Sequence, residues 1–334
     1  MLGGKSVLIT GGTGSFGREF VETVLENCRP RRLIVFSRDE LKQHEMAERF
    51  SPRQYPCLRY FIGDVRDRER LYRALDGVDV VVHAAALKHV PLCEYNPLEA
   101  IKTNILGMAN VVEAAIDRGV QRVIALSTDK AANPVNLYGA TKLCSDKLLI
   151  SANNYAGGHP ARFAAVRYGN VVGSRGSVVP VFLKMRKRGV LSITDPRMTR
   201  FWITLQQGVE FVLASLARMR GGEIFVPKLP SMNIRDLARA VAPECRTETV
   251  GIRPGEKLHE TMISEDDARH TLEYDDYYAI LPDPEVLMFQ RGSDPEGGVP
   301  CRDGFCYNSN TNNEWLTVEQ LRRMLGLMGV RDVA

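Results

Sequence analysis

The stretch Ser6–Gly17, with the sequence SVLITGGTGSFG, predicts how this chain of 334 residues begins its fold. An apolar run is followed by a glycine-rich turn and then by a helical pattern that opens at Ser15. Glycines permit a tight turn, and the free N–H groups at the start of a helix attract an anion. The stretch therefore predicts a strand, a turn and a helix that together bind a phosphate group.

Outward from this stretch, strands and helices alternate over the first 170 residues. The runs VDVVVHAA and RVIALST are apolar without alternation, as in strands that are buried on both faces of a parallel sheet. The pattern predicts an α/β fold with a doubly wound, Rossmann-type parallel sheet. The predicted strands are Ser6–Thr10, Arg32–Phe36, Leu58–Gly63, Val78–His83, Arg122–Ser127 and Phe163–Arg167. The predicted helices are Ser15–Asn27, Asp39–Phe50, Arg66–Leu75, Leu98–Arg118 and Leu137–Tyr155.

Beyond residue 172 the regular alternation stops. We expect residues 1–172 to form the dinucleotide-binding domain. We expect residues 173–334 to form mainly a smaller mixed α/β lobe for the substrate at the carboxyl edge of the sheet, with some segments returning to the first domain. Residues Asp283–Asn313 are predicted to be a loop, and the predicted helices here are Val181–Arg188, Leu205–Arg220, Ile234–Val241 and Thr317–Leu327.

Composition excludes several classes of protein. The hydrophobic share of 44% and the charged share of 25% are those of a soluble globular protein. A formal charge of +4 argues against nucleic-acid partners, and no apolar run is long enough for a membrane span. The seven cysteines lack metal-ligand spacing, and the start of the chain does not resemble a signal peptide. We expect a cytoplasmic protein with reduced thiols and no bound metal.

The glycine-rich turn predicts a dinucleotide cofactor. The pyrophosphate contacts are expected from Gly11, Thr13, Gly14, Ser15, Phe16 and Gly17. The second strand ends in Ser37, Arg38 and Asp39, with Lys42 one turn later, and these hydroxyl and basic groups suit the 2′-phosphate of NADP. The alternative is that Arg38 and Lys42 lie on a solvated helix face and that Asp39 is an N-cap.

The next two strand ends complete the predicted cofactor site. Asp64, followed by Val65, is positioned to accept a hydrogen bond from the adenine amino group. Ala84 and Ala85 leave room for a flat cofactor at the end of the fourth strand. Simple packing is the alternative for all four residues.

Tyr138 and Lys142 lie four residues apart at the start of a predicted helix, so they share one helical face. A lysine cation lowers the pKa of a tyrosine beside it, and the phenolate becomes a base for an alcohol or sugar hydroxyl. The Y-x-x-x-K pattern is common by chance, but here it follows a dinucleotide fingerprint. In this position it resembles the signature of the extended short-chain dehydrogenase/reductase family.

The fifth predicted strand ends in Asp129 and Lys130, where such sheets bind ligands. A second acid–base pair is needed only if the reaction also removes a carbon-bound proton and expels water. The alternative is an exposed surface ion pair of little consequence.

Nearly the whole chain resembles the inverting UDP-N-acetylglucosamine 4,6-dehydratases of this family. The matching tracts include FSRDELKQ, HAAALKHVP, STDKAANPVNLYGATKLCSDKL, RYGNVVGSRGSV and RPGEKLHE. The resemblance implies oxidation at carbon four by Tyr138 and NADP, removal of the carbon-five proton by a neutral Lys130, and protonation of the carbon-six hydroxyl by Asp129. Burial near other cations is expected to lower the pKa of Lys130. The hydride then returns to carbon six.

The same match implies the ligand contacts and the assembly. Val171 is expected at the cofactor, and Lys88 at both the cofactor and the sugar. Further sugar-side contacts are implied for Thr103, Asn104 and Asn170, and uridine diphosphate contacts for Thr194, Arg200, Arg253 and Glu256. A surface ion pair is the alternative for Arg200, and a buried helix polar group for Asn104. The resemblance also implies a homo-oligomer, with a hexamer as the specific expectation, and a first step towards pseudaminic acid for flagellin glycosylation.

Three other functions stay open at this point. An NADP-dependent nucleotide-sugar epimerase shares the fold but does not need Asp129 and Lys130. A retaining 4,6-dehydratase differs in stereochemistry, which only the resemblance addresses. A non-catalytic dinucleotide-binding protein usually lacks one member of the Tyr–Lys pair, and this chain has both.

Overall fold

A computed structural model describes residues 1–173, 177–283 and 297–327. Within these residues the largest element is a sheet of ten strands. In order across the sheet they are β16 (Val299–Pro300), β14 (Thr271–Glu273), β15 (Tyr277–Ile280), β10 (Ile224–Pro227), β6 (Arg162–Val166), β5 (Arg122–Leu126), β4 (Val80–His83), β1 (Ser6–Thr10), β2 (Arg32–Ser37) and β3 (Leu58–Ile62).

The strands from β10 to β3 are parallel, and their order reverses at β1. Strand β1 pairs with β2 on one side and with β4 on the other, in registers that align Thr10 with Phe36 and with His83. A crevice opens at such a reversal point, beyond the carboxyl ends of the strands. The prediction of a doubly wound parallel sheet is confirmed, and the fold places its crevice next to the glycine-rich turn.

Helices cover both faces of the sheet. Along β1, Val7 and Ile9 belong to one hydrophobic cluster and Leu8 to another, so alternate side chains pack on opposite faces. This two-sided burial explains the unbroken apolar runs. The helices of the first domain are α1 (Ser15–Asn27), α2 (Glu40–Arg49), α3 (Arg68–Ala74), α4 (Val90–Tyr95), α5 (Pro97–Ile101), α6 (Gly107–Asp117) and α7 (Leu137–Tyr155).

The single helix predicted over Leu98–Arg118 is wrong. Helices α5 and α6 are separated by a π-helical turn at Lys102–Leu106, and α4 precedes them. The wider turn carries Asn104 inward, where its amide nitrogen donates to Leu87 O at 2.9 Å. Its amide oxygen accepts from Leu87 N at 2.8 Å. The interruption therefore follows from a tertiary contact and not from local helix propensity.

The chain beyond residue 177 builds three small sheets and returns to the large one. The small sheets pair β7 (Asn170–Val171) and β11 (Ser231–Asn233) with β9 (Thr199–Ile203), β8 (Val190–Ile193) with β12 (Arg246–Thr249), and β13 (Thr261–Ile263) with β17 (Tyr307–Asn308). The helices here are α8 (Val178–Arg186), α9 (Leu205–Arg218), α10 (Ile234–Val241), α11 (Glu265–Ala268) and α12 (Val318–Leu327).

The start of one helix and part of the predicted loop differ from the sequence prediction in this half. Helix α8 begins three residues early and includes Pro180, because a proline in the first helical turn lacks only an N–H that has no helical partner. Helix α9 packs against α1 on the large sheet. The described part of Asp283–Asn313 holds β16 and β17, and residues 284–296 lie outside the described residues. Across the described ranges, no helix is both long and apolar enough to cross a membrane.

Candidate active site

The glycine-rich turn has the geometry of a phosphate cradle. Gly11 has a φ of +64°, and a Cβ atom there would lie 2.9 Å from the Cα of Ala85. A Cβ atom on Gly17 would lie 2.4 Å from the backbone of Gly12. Gly14 caps α1 without a side-chain hydrogen bond, so the first N–H groups of the helix keep their capacity to bind an anion. These features fit the pyrophosphate of a dinucleotide.

Hydrogen bonds tie this turn to the neighbouring strand ends. The Thr13 and Ser37 hydroxyl oxygens lie 2.8 Å apart. Thr10 Oγ1 accepts from the N–H groups of Ala84 at 3.1 Å and Ala85 at 3.2 Å, and it lies 2.9 Å from His83 Nδ1. The single proton of Thr10 therefore points to His83, which is neutral because burial lowers its pKa to about 3. Phe16 stacks against Phe20 on α1.

The basic groups after β2 are paired with carboxylates. Asp39 caps α2, accepting from Lys42 N at 3.0 Å, and its carboxylate also contacts the Lys42 ammonium group. Arg38 Nη1 lies 3.7 Å from Asp64 Oδ2. The N-cap that we considered as an alternative is thus present. Because the Arg38 side chain is 55% exposed, its ion pair is weak and open to exchange for a phosphate.

Asp64 and Val65 are both engaged by other protein groups, Asp64 through hydrogen bonds and Val65 through burial. Arg66 donates to Asp64 Oδ2 at 2.7 Å. Burial raises the pKa of Asp64, but the hydrogen bonds and charge of Arg66 and the charge of Arg38 outweigh it and lower the pKa. Val65 is buried, and its Cγ2 would lie 2.8 Å from a Cβ atom on Gly107. The expected adenine contact of Asp64 would compete with Arg66.

Helix α7 is held close to the end of β5. Asn136 caps the helix, accepting from Gly139 N at 2.8 Å, and its own amide donates to Gly255 O at 2.8 Å. A Cβ atom on Gly139 would lie 2.1 Å from Lys130 O, so only glycine permits this approach. The approach places Tyr138 beside the 3₁₀ turn Asp129–Ala131.

Tyr138 lies close to Asp129 and Lys130, which the sequence analysis predicted to be a second acid–base pair. The Thr128 side chain favours the ionised form of the tyrosine hydroxyl and lowers the pKa of Tyr138. Thr128 in turn donates to Asp129 Oδ1 at 2.8 Å. Burial raises the pKa of Tyr138 to about 12, and the Lys130 cation opposes this rise most strongly. We predicted that Lys142 would supply that positive charge, but Lys130 is the main source.

Asp129 and Lys130 form a buried cluster rather than an exposed surface pair. Lys130 Nζ lies 3.0 Å from Asp129 Oδ1 and 3.3 Å from Glu260 Oε1, and Asp129 is only 1% exposed. Arg200 Nε lies 3.6 Å from the same Glu260 oxygen. Burial lowers the pKa of Lys130, but the two carboxylates outweigh it and raise the pKa. The predicted direction was wrong because Asp129 raises the pKa most and Glu260, which is far away in sequence, raises it further.

Lys142 is in a different environment. It is buried on α7, and burial lowers its pKa against the opposing charge of Asp146. Ser127 Oγ donates to Asp146 Oδ2 at 2.5 Å, and Arg167 Nη2 lies 3.7 Å from the same oxygen. Asp146 therefore divides its charge among several partners.

The residues expected on the sugar side differ in their free hydrogen-bonding capacity. Asn104 is engaged by Leu87 and also donates to Thr141 Oγ1 at 3.0 Å, which is the buried structural role that we considered as an alternative. Asn170 Oδ1 and Thr103 Oγ1 are buried and have no hydrogen-bond partner within the described residues. Desolvation and the Lys130 charge lower the pKa of Lys88. Asn170, Thr103 and Lys88 thus have more capacity for a ligand than Asn104.

Of the residues expected to hold uridine diphosphate, Arg200 contacts the segment 253–260, and Arg253 and Glu256 belong to it. Thr194 Oγ1 donates to Met198 Sδ at 2.9 Å. Arg200 donates to Thr199 O at 2.7 Å and to Lys257 O at 2.9 Å, so its guanidinium is anchored by protein groups. Arg253 is 64% exposed, with its Nη1 lying 3.8 Å from Glu256 Oε1.

Val171, which was expected at the cofactor, lies on the short strand β7, where it pairs with Ile203 of β9.

Sequence reasoning missed four residues that shape this site: Asn136, Gly139, Asp146 and Glu260. The tract RPGEKLHE ends in Glu260, but nothing local connected this residue to Lys130. A helix that reads Tyr138, Lys142, Asp146 at intervals of four carries a usable signal for Asp146. In the part of the chain that the structure describes, no group of three His, Cys, Asp or Glu side chains is arranged to hold a metal ion.

Comparison with known proteins decides the family. A family model described as Polysaccharide biosynthesis protein matches residues 7–282. The chain belongs to this family. One relative is the inverting UDP-N-acetylglucosamine 4,6-dehydratase of Campylobacter jejuni subsp. jejuni serotype O:2. The two sequences are 56% identical over 97% of this chain and 98% of the relative's length.

Other relatives carry different names. The UDP-glucose 4-epimerase of Rickettsia canadensis is 40% identical over 96% of this chain and 95% of its own. The X-ray structure of Pen from Bacillus thuringiensis superimposes with a TM-score of 0.90 at 35% identity, and the match covers 99% of each chain. This chain is thus similar to proteins named as dehydratases and to proteins named as epimerases.

Proposed function

We propose that this protein is an NADP-dependent, configuration-inverting UDP-N-acetylglucosamine 4,6-dehydratase, and therefore a hydro-lyase. The observation that carries the proposal is the buried Asp129–Lys130 pair next to Tyr138. An epimerase needs one base for a hydroxyl group, whereas a dehydratase also needs groups that remove a carbon-bound proton and release water. The 56% identity to a protein of that name supports the same function.

The proposed cofactor contacts come from the strand ends around β1. The cradle of Gly11, Gly14 and Gly17 would hold the pyrophosphate, and Ser37, Arg38 and Lys42 the 2′-phosphate. A nicotinamide bound there would supply hydride transfer, from carbon four of the sugar and back to carbon six. Lys142 would contact the ribose beside Tyr138.

The chain's own residues would move the protons. Tyr138 takes the proton of the carbon-four hydroxyl, and Lys130 lowers the cost of the phenolate because its cation opposes the burial effect. The ketone at carbon four acidifies the carbon-five hydrogen, which Lys130 removes as a neutral amine. Asp129, protonated at this step, gives its proton to the carbon-six hydroxyl, which leaves as water, and carbon five regains a proton from the solvent on the opposite face.

The expected product is UDP-2-acetamido-2,6-dideoxy-β-L-arabino-hex-4-ulose, which we propose as the first intermediate towards pseudaminic acid for flagellin glycosylation. Among the substrate contacts, Asn170 and Thr103 are supported by their buried, unpaired oxygens. Arg253 is supported by its exposure, because an exposed guanidinium group at the start of the segment 253–260 is accessible to a phosphate. These residues, with Lys88, Thr194 and Glu256, are the proposed binding set.

A nucleotide-sugar epimerase is the second candidate, because a relative of that name is 40% identical over nearly the whole chain. In that case Asp129 and Lys130 would be dispensable. The structure places both in a cluster with Glu260 that an epimerase does not require. We therefore rank the dehydratase first.

The test is NMR spectroscopy of the purified protein with UDP-N-acetylglucosamine and catalytic NADP in deuterated water. We expect a 4-keto-6-deoxy sugar of L-arabino configuration with deuterium at carbon five. A xylo product from the outset would indicate a retaining dehydratase. Formation of UDP-N-acetylgalactosamine without a keto sugar would indicate an epimerase and would contradict the roles given to Asp129 and Lys130.

We also propose a cytoplasmic homo-oligomer, with a hexamer as the specific expectation. Seven cysteines without a disulfide support a reducing compartment. Leu92, Tyr95 and Leu98, on α4 and α5, are large apolar side chains that are more than half exposed, which supports association between copies. Light scattering of the purified protein tests the assembly, and a monomer would contradict it.

A further inference from the structure

Glu260 is a buried carboxylate to which the proposed reaction assigns no role. It is 2% exposed, and its Oε1 lies 3.3 Å from Lys130 Nζ and 3.6 Å from Arg200 Nε. Its backbone is fixed by Ser309, whose Oγ accepts from Glu260 N at 2.9 Å and whose N–H donates to Glu260 O at 2.8 Å. The edges of β13 and β17 thus hold this side chain against Lys130.

The cluster around Lys130 has unused hydrogen-bonding capacity. Asp129 Oδ2 and Glu260 Oε2 are both buried and have no hydrogen-bond partner among the described residues. A buried carboxylate oxygen without a donor is costly, and a proton on the carboxyl group removes most of that cost. Glu260 Oε2 thus has an unfilled acceptor position inside the cluster.

We propose that Glu260 is a positioning residue for Lys130 that holds the ammonium group beside Asp129 and receives its proton after the bound substrate has been oxidised at carbon four. The inference rests on the proposed function. One N–H bond of the ammonium group breaks and an O–H bond forms on Glu260, which leaves a neutral amine and a neutral carboxylic acid. The amine lone pair then takes the carbon-five proton of the sugar.

Exclusion of water by the substrate favours this transfer. Two opposite charges in a dry site lose their hydration, whereas the neutral amine and acid do not need it. The amine is placed for its task because Asp129 and Glu260 hold Nζ from two sides, at 3.0 Å and 3.3 Å. The same two carboxylates explain why Lys130 is protonated before substrate binds, since they raise its pKa against burial.

Other charged groups also face the cluster. Arg200, Lys88 and Lys257 oppose protonation of Lys130, and Tyr138 responds to its charge. Lys257 is held by Ala132 O at 2.6 Å, and burial lowers its pKa. These three cations oppose only part of the effect that the two carboxylates have on Lys130.

The experiment compares the wild type with Glu260→Gln, Glu260→Asp and a control, Glu244→Gln. Glu244 also pairs with an arginine, Arg186 at 2.5 Å, but is 52% exposed. Three quantities are measured between about pH 6 and pH 9: kcat for keto-sugar formation, deuterium exchange at carbon five, and reduction of the bound nicotinamide in a single turnover.

For Glu260→Gln we expect kcat and exchange at carbon five to fall about a hundredfold at neutral pH. Both should rise about tenfold per pH unit, because Lys130 must now lose its proton to solvent. Reduced nicotinamide should accumulate, since oxidation at carbon four precedes the blocked step. Glu260→Asp should recover part of the loss, and Glu244→Gln should match the wild type.

Three results would overturn the inference. Glu260→Gln could keep the wild-type kcat and pH profile. It could be faster at neutral pH, which would mean that Glu260 only makes Lys130 harder to deprotonate. It could lose activity equally at every pH without recovery in Glu260→Asp, which would indicate a structural role alone. A wild type that forms no keto sugar would instead refute the proposed function.

Discussion

Two lysines of the candidate site, one after β5 and one on α7, differ in the direction of their pKa shifts. Both are desolvated, and desolvation lowers a lysine pKa. Lys130 nevertheless has a raised pKa, because Asp129 and Glu260 lie 3.0 Å and 3.3 Å from its Nζ. Lys142 has a lowered pKa, because burial outweighs the charge of Asp146.

The contrast indicates that partners, more than burial, decide the charge of a lysine in this site. Asp146 gives Lys142 less support because Ser127 and Arg167 share the same carboxylate. Lys130 has two carboxylates with an unpaired oxygen each. The first lysine is thus suited to hold a proton and release it, and the second to support Tyr138 and a cofactor hydroxyl.

Removal of Lys130 should have the largest effect. We expect Lys130→Met to lower kcat for dehydration about ten-thousandfold, because no other group replaces the carbon-five base. Reduction of the bound nicotinamide by the substrate should fall much less, because Lys130 only assists formation of the Tyr138 phenolate, and this difference separates the two chemical steps. Lys147→Met, on the exposed face of α7, is the control. Equal loss of both steps in Lys130→Met would remove the distinction drawn between the two lysines.

Tyr138→Phe should affect the other step. We expect nicotinamide reduction to fall about a thousandfold, because the base for the carbon-four hydroxyl is lost. With a Tyr138 pKa of about 12, the phenolate fraction rises throughout the neutral and alkaline range, so the wild-type rate of this step should increase with pH. Tyr155→Phe, at the exposed end of α7, is the control. A flat pH profile would argue against a free phenolate as the base.

Asp146→Asn tests the environment of Lys142. The change removes one carboxylate from the buried surroundings of Arg167 and Lys142. We therefore expect the free energy of unfolding to fall by about 3 kcal/mol. Urea unfolding measures this loss. Asp236→Asn is the matched control, because Asp236 pairs with Arg239 at 3.5 Å on the surface. Equal stability of the two variants would mean that Asp146 does not compensate these cations.

The sequence alone predicted those elements whose structure depends on residues that are close together in the chain. Strand Ser6–Thr10 and helix Ser15–Asn27 have the predicted bounds, because apolar periodicity and glycine spacing are local signals. The π-helical turn at Lys102–Leu106 depends on the contact between Asn104 and Leu87, which no local pattern encodes. Glu260 lies 130 positions from Lys130, so the part of the raised Lys130 pKa that Glu260 adds to the effect of Asp129 required the fold.

The smallest predicted effect concerns the exposed ion pair of Arg38 and Asp64, in contrast to the buried partners of Lys130 and Lys142. Arg38 and Asp64 are 3.7 Å apart, and Arg38 is 55% exposed, so exchange of the carboxylate for a 2′-phosphate costs little. We expect Arg38→Ala to weaken NADP binding about tenfold and to leave NAD binding unchanged, because only NADP carries that phosphate. Isothermal titration with both dinucleotides measures this, with the exposed Arg53→Ala as control. Equal weakening of both would show that Arg38 supports the β2 end generally, and the preference for NADP would then have to come from Ser37 and Lys42.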